Sequence, residues 1–250
     1  MRNFILSILL AATAFTSCNA PTGEEDISMP KSGLTDTVFK EINKKYTAID
    51  AFSCIDVVMS DSVKTLMVVA NKAVQNQLKI YVKGNTLNLG LQSNVHLNDF
   101  GNIVIYVPYN AKIKEVELSG ACSFTSLRPI VGNSFSLDIS GASMATCYFD
   151  MPDGQLEVNL NGCSSLNATG HVRFLEADIS GASNINSKEK LGQFTFTAED
   201  AELNVSGSSN AKLHCNGTIR GDVSGASNVI YTGTPKIKLE VSGVSSINGK

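Results

Sequence analysis

The chain has 250 residues, enough for one large domain or two small ones, and its 43% hydrophobic content supplies an ample core. Twenty Lys and Arg stand against 23 Asp and Glu, for a net charge of −3, and no basic block appears, which excludes nucleic-acid backbones as partners. There is no tryptophan, only 17% of residues are charged, and Ser, Asn, Gly and Val dominate the second half, as expected of tightly turning β-structure rather than a helical enzyme.

Residues 1–17 read as a signal peptide. Arg2 gives the positive start, and Phe4 to Phe15 form an apolar stretch of 12 residues, too short to span a bilayer. Thr16-Ser17-Cys18, small residues directly before a cysteine, resembles the lipobox of bacterial lipoproteins. That resemblance implies lipidation at Cys18, palmitate-type acyl chains, and anchoring in the outer membrane of a cell envelope, on either the surface or the periplasmic side. The alternative is an ordinary secretory signal cut elsewhere. Residues 18–36, rich in Pro, Gly and acids and without periodicity, read as a flexible tether. Its Glu24-Glu25-Asp26 run resembles the acidic signal of some surface-exposed lipoproteins.

Residues 37–115 are strand-rich. Alternating or apolar runs at 52–59, 64–70, 78–84, 86–91 and 102–108 predict strands. Asn71 to Leu78 is the one expected short helix, with Asn71 as its N-cap. This region is expected to form the N-terminal cap and first coils of the domain that follows.

From residue 116 to 250 one pattern recurs seven times, in copies such as "VELSGACSF", "LDISGASMA", "ADISGASNI" and "LEVSGVSSI". Its glycines are Gly120, Gly141, Gly162, Gly181, Gly207, Gly225 and Gly243, spaced by 21, 21, 19, 26, 18 and 18 residues. Each copy opens with apolar-polar-apolar alternation, the mark of a half-buried strand, and then turns through small residues at the glycine. A period near 20 is too short for a helical crossover but suits one coil of a parallel β-solenoid, in which seven coils give a rod of roughly 30 to 35 Å at about 4.8 Å per coil. Stacking would align columns: the serines two residues after each glycine (with Cys122 in the first copy), the asparagines Asn184, Asn210 and Asn228, and an outward acidic stripe of Glu117, Asp138, Asn159, Asp178, Asn204, Asp222 and Glu240.

Phe52-x-x-Ile55-x-Val57, the paired strands of "NQLKIYVKGNTLNL", the "IVIYVP" strand, then "VELSGA" and serial Ser-Gly-Ala-Ser repeats together resemble the putative auto-transporter adhesin head GIN domain family, from about residue 45 onward. The resemblance implies an all-β, right-handed parallel β-helix in a cell-surface setting, named adhesin by analogy. No stretch resembles a C-terminal membrane β-barrel, so the chain is not expected to be an autotransporter itself.

No repeat serine is expected to be catalytic. A hydrolase elbow needs Gly-x-Ser-x-Gly between strand and helix with His and Asp partners, and a nucleophile needs one special setting rather than seven. His96, His171 and His214 share no repeat column, so no metal or triad is expected. The 26-residue gap carries Lys188, Glu189, Lys190, Glu199 and Asp200, which would have to gather with His171 for a polysaccharide-degrading enzyme; a solvated turn is the plainer meaning. The acidic stripe lacks the clustered oxygens of a calcium loop, and no cofactor is expected. Cys54, Cys122, Cys147, Cys163 and Cys215 read as small buried residues. Asp36-Thr-Val and Asp61-Ser-Val resemble a short O-glycosylation motif. In the last strand, Pro235, Lys236, Lys238 and Glu240 blunt an edge that either stays bare or docks a second copy or another strand.

The expected function is a lipid-anchored, non-enzymatic envelope head that binds a glycan or a surface protein along its exposed strips. A structural accessory of an envelope complex and a glycan-cleaving enzyme are the alternatives.

Overall fold

The structure, a computed structural model, describes residues 35–92 and 101–250. The leader, Cys18, the tether as far as residue 34, and His96 lie outside the described residues. The described chain is nearly all strand, with one four-residue helix, Lys72–Gln75. Asn71 caps that helix by accepting a hydrogen bond from the Ala73 N–H.

The seven copies pair with one another in parallel, and in register by repeat column. Glu115–Leu118 pairs with Ser134–Ile139, which pairs with the second half of Met144–Leu160. The series continues through Ser165–Ile179, Phe196–Val205, Thr218–Val223 and Lys236–Val241. A second series holds the residues after each turn: Ser123–Ser126, the start of Met144–Leu160, the start of Ser165–Ile179, Asn184–Asn186, Asn210–Cys215, Asn228–Thr232 and Ser246–Gly249. Alternation sends every second side chain inward: Val116, Leu137, Val158, Ala177 and Leu203 form one buried column, and Phe124, Ala145, Leu166, Ile185 and Ala211 another. Phe135, Phe149 and Phe196 stack inside, with ring centres 6.1 and 5.9 Å apart.

The start of the domain is built differently. Ala48–Ala51 and Asp56–Ser60 pair in parallel with the first recognised copy. On their other side lie Thr86–Leu91 and Val104–Pro108, so the chain order is not the spatial order. Antiparallel strands finish this end: Leu78–Lys83 pairs with Thr86–Leu91, and Leu66–Asn71 lies between Val104–Pro108 and Thr35–Lys40. Val74 of the helix is fully buried in the same core. Antiparallel pairing and the helix thus cover what would otherwise be the open face of a parallel stack.

Register also uncovers an eighth copy, Ile49 to Val57. Ser53 occupies the glycine column with φ of 79°, and its carbonyl accepts from the Ala121 N–H at 2.7 Å, as the Gly120 carbonyl does from Ala142. Asp50 joins the outward stripe opposite Glu117.

The long gap between the fourth and fifth copies is not a bare turn. Glu189–Lys190 and Gln193–Phe194 form an antiparallel hairpin whose tip, Leu191 and Gly192, has φ of 52° and 79°. Phe194 is buried, its N–H donates to Thr232 Oγ1 at 3.1 Å, and Glu189 pairs with Lys250 at 2.7 Å. The extra residues fold back over the neighbouring repeats, because a buried phenylalanine gives the excursion an apolar reason to return.

Candidate interaction surface

All seven repeat glycines have φ between 71° and 84°, a region that favours glycine. A Cβ on Gly181 would lie 2.4 Å from the Gly162 carbonyl oxygen, and each of the others would meet the turn before it in the same way. Small turns thus let the rungs approach closely enough for the Ala182 N–H to reach the Gly162 carbonyl at 2.7 Å.

Two residues beyond each glycine, Ser143, Ser164, Ser183, Ser209 and Ser227 are buried. Most of the rungs here are tied through backbone and hydroxyl: the N–H groups of Ser164, Ser183, Ser209 and Ser227 donate to the Oγ of the following serine at 3.2 to 3.3 Å. Cys122 belongs to this column in kind, since its Sγ accepts from the Ile55 N–H at 3.4 Å. One column over, Asn210 donates to Asn184 at 2.8 Å and Asn228 to Asn210 at 3.0 Å. These groups hydrogen-bond to one another, which consumes the polar capacity that a catalytic serine would need.

The outward face is where polar groups remain available to a partner. The predicted stripe continues across every rung, from Asp50 through Glu117, Asp138, Asn159, Asp178, Asn204, Asp222 and Glu240. Amides partly relieve its charge: Asn159 donates to Asp138 at 2.7 Å and Asn204 to Asp178 at 2.8 Å. Where three acids follow without an amide, burial first, and then the carboxylates of Asp50, Asp138 and Glu115, raise the Glu117 pKa above the ordinary value.

Two residues back along each strand runs a second column that sequence reading missed: Glu115, Ser136, Glu157, Glu176 and Glu202, ending in Arg220 and Lys238. The signal was present as the polar residue preceding each copy, but it becomes a column only once register is fixed. Gln155 donates to Glu176 at 3.0 Å, and Arg220 binds Glu202 at 2.6 Å while lying over the Phe174 ring at 5.2 Å from its centre. Side by side, the two columns make a sheet face that is anionic up to Glu202 and of mixed charge beyond it. A shallow depression of about 170 Å³ lies along it, bordered by Asn161, Asp178, Ser180, Asn204 and Asp222.

Of the residues an enzyme would need, Glu199 and His171 come together, while Glu189 and Asp200 have other partners. Glu189 is held by Lys250, Asp200 accepts from the Thr218 N–H at 2.7 Å, and Glu199 faces His171 at 3.9 Å. His214 is buried between Thr232 Oγ1 at 3.0 Å and Asn216 Nδ2 at 3.1 Å. Among the described residues no group of three or more His, Cys, Asp or Glu side chains is placed to hold a metal ion. The five described cysteines are free; Cys122, Cys147 and Cys215 are buried, Cys54 is partly buried, and Cys163 is exposed rather than buried, because its column faces out of the turn. Burial pushes the Cys122 thiol up to about 12 and Cys215 up to about 11, so both stay protonated and unreactive at neutral pH. Among the described residues no helix is long and apolar enough to cross a membrane.

Comparison with known proteins agrees with this picture. The family model described as "Putative auto-transporter adhesin, head GIN domain" matches residues 45–235. A solved structure of a putative adhesin from Bacteroides fragilis is 17% identical, with a TM-score of 0.75 over 88% of this chain and 99% of that one. A putative lipid binding protein from Parabacteroides distasonis is 19% identical, with a TM-score of 0.67 over 88% of this chain and 98% of that one. A putative adhesin from the same species is 16% identical, with a TM-score of 0.63 and the same coverage. At these identities the likeness is one of fold. No curated protein matches the chain.

Proposed function

Because the chain belongs to the putative auto-transporter adhesin, head GIN domain family, we propose that it is a non-enzymatic, adhesin-like head of the cell envelope, built as a right-handed parallel β-helix and anchored through a lipid on Cys18. The solved structures of like fold carry adhesin and lipid-binding names rather than enzyme names. The observation that carries the reading is the double acidic column. Its first column runs across every repeat and its second is largely acidic as far as Glu202, so it suits a broad partner with a complementary basic surface better than a small substrate.

The test is an array of surface proteins and glycans probed with the full chain in detergent. Binding to basic protein spots, weakened by salt and abolished by Glu176→Lys with Asp178→Lys, is the expected result. No binding to any protein or glycan spot would overturn the adhesin reading in favour of a structural accessory role, and protein binding that survives both lysine substitutions would remove the acidic face from it. For the anchor, Cys18→Ser is expected to move the protein from the detergent phase to the aqueous phase.

A further inference from the structure

Three segments at the antiparallel end of the domain surround a depression of about 480 Å³, through residues 41–43 and 46, 64–66 and 108–110. We propose that this depression binds the end of a neutral oligosaccharide. None of its lining residues belongs to the acidic columns, so the site stands apart from the surface described above.

Its volume lies within the range of about 300–1,000 Å³ common for small-ligand clefts. Tyr46 and Tyr109 pack against the hydrophobic core on one side and line the depression on the other. Aromatic rings held in this way offer an apolar surface to the C–H face of a pyranose while their hydroxyls stay polar. Tyr109 is held through its side chain and Tyr46 through its backbone. The Tyr109 hydroxyl donates to the Pro129 carbonyl at 2.8 Å, and Asn110 Nδ2 donates to the Tyr46 carbonyl at 3.1 Å. Asn110 Oδ1 in turn accepts from the Lys112 N–H at 2.9 Å. A site fixed in advance loses little side-chain entropy when it is filled.

The polar lining is mixed rather than one-signed. Glu41 brings a carboxylate, Lys64 an ammonium and Asn43 an amide, which together suit a ring bearing several hydroxyls. The charges of Glu41 and Lys64 offset one another within the lining, and the exposed Lys44 and Lys45 beside it are not among the lining residues, so the lining suits a neutral sugar better than a phosphate, a uronate or a basic peptide. Burial raises the Tyr46 pKa above its ordinary value, so this hydroxyl remains a donor throughout the physiological range.

Saturation-transfer NMR of the full chain in detergent, with chitotetraose, cellotetraose and maltotetraose as probes, tests the site. Transfer to at least one probe is expected, with affinity reduced at least tenfold in Tyr46→Ala and several-fold in Glu41→Gln. It should be unchanged in the double variant Glu176→Lys, Asp178→Lys, which separates this site from the acidic face. Because Tyr46→Ala can disturb the cap, tyrosine-labelled wild type provides a second measurement: the ring signals of Tyr46 and Tyr109 should shift on titration. No transfer from any of the three probes, binding that leaves both rings unshifted, or wild-type affinity in a folded Tyr46→Ala would overturn the proposal whether or not the acidic face binds a protein.

Discussion

At the scale of the residue, the fold depends on backbone angles at one repeated point. Gly181 combines a φ of 78° with a position where a Cβ would lie 2.4 Å from the carbonyl of the rung below, so a side chain there meets both strain and a clash. The eighth copy gives the opposite case, because Ser53 adopts φ of 79° with a side chain in place. Gly181→Ala is therefore expected to destabilise by about 3 kcal/mol or more, and Ser53→Gly to stabilise by about 1 kcal/mol, since a non-glycine residue in this conformation is strained. Urea denaturation of the two variants checks both signs, and a neutral Gly181→Ala would mean that the rungs can separate there.

At the scale of the element, the hairpin at 189–194 is the one excursion that breaks the regular spacing. Its hold on the neighbouring repeats has two parts of unequal strength. Phe194 is buried under the hairpin with its N–H bound to Thr232 Oγ1, whereas Lys250 reaches Glu189 through two half-exposed side chains. Removing the ring should matter far more than removing the ion pair: Phe194→Ala is expected to lose about 3 kcal/mol, and Lys250→Ala less than about 1 kcal/mol. Thermal unfolding of the two variants side by side gives the comparison. Equal effects would show that the hairpin is held by charge.

For the whole molecule, stacking identical columns brings like charges together, and pH reports it. Glu117 has its pKa raised above 4.5 by burial and by its acidic neighbours. The folded state thus holds this proton more tightly than the unfolded chain does. Ionisation of Glu117 therefore opposes folding at neutral pH, and that penalty is relieved as pH falls through the raised pKa towards 4.5. Glu117→Gln should raise stability at pH 7 by about 0.2–1 kcal/mol, the range for like charges directly opposite in a sheet. It should also leave a smaller gain on acidification to pH 5. Urea midpoints at the two pH values measure this, and an unchanged pH dependence would mean that solvent already screens the stripe.

The repeat, its inward and outward alternation and its columns are legible without coordinates, because each depends on residue spacing along one strand. Leu137, Asp138 and Ile139 announce a buried, exposed, buried strand without reference to anything distant. The sequence also placed the short helix behind Asn71, where the cap is a local hydrogen bond. Tertiary structure alone decided which strands lie side by side. The segment at 48–60 sits between the strands Thr86–Leu91 and Val104–Pro108 and the first recognised copy, and nothing local encodes that order. Its own repeat was hidden because Ser53 stands where the others have glycine. The second acidic column, the hairpin anchored by Phe194 and the depression between Tyr46 and Tyr109 have the same origin: each joins residues far apart in the chain, through register and packing that spacing alone does not specify.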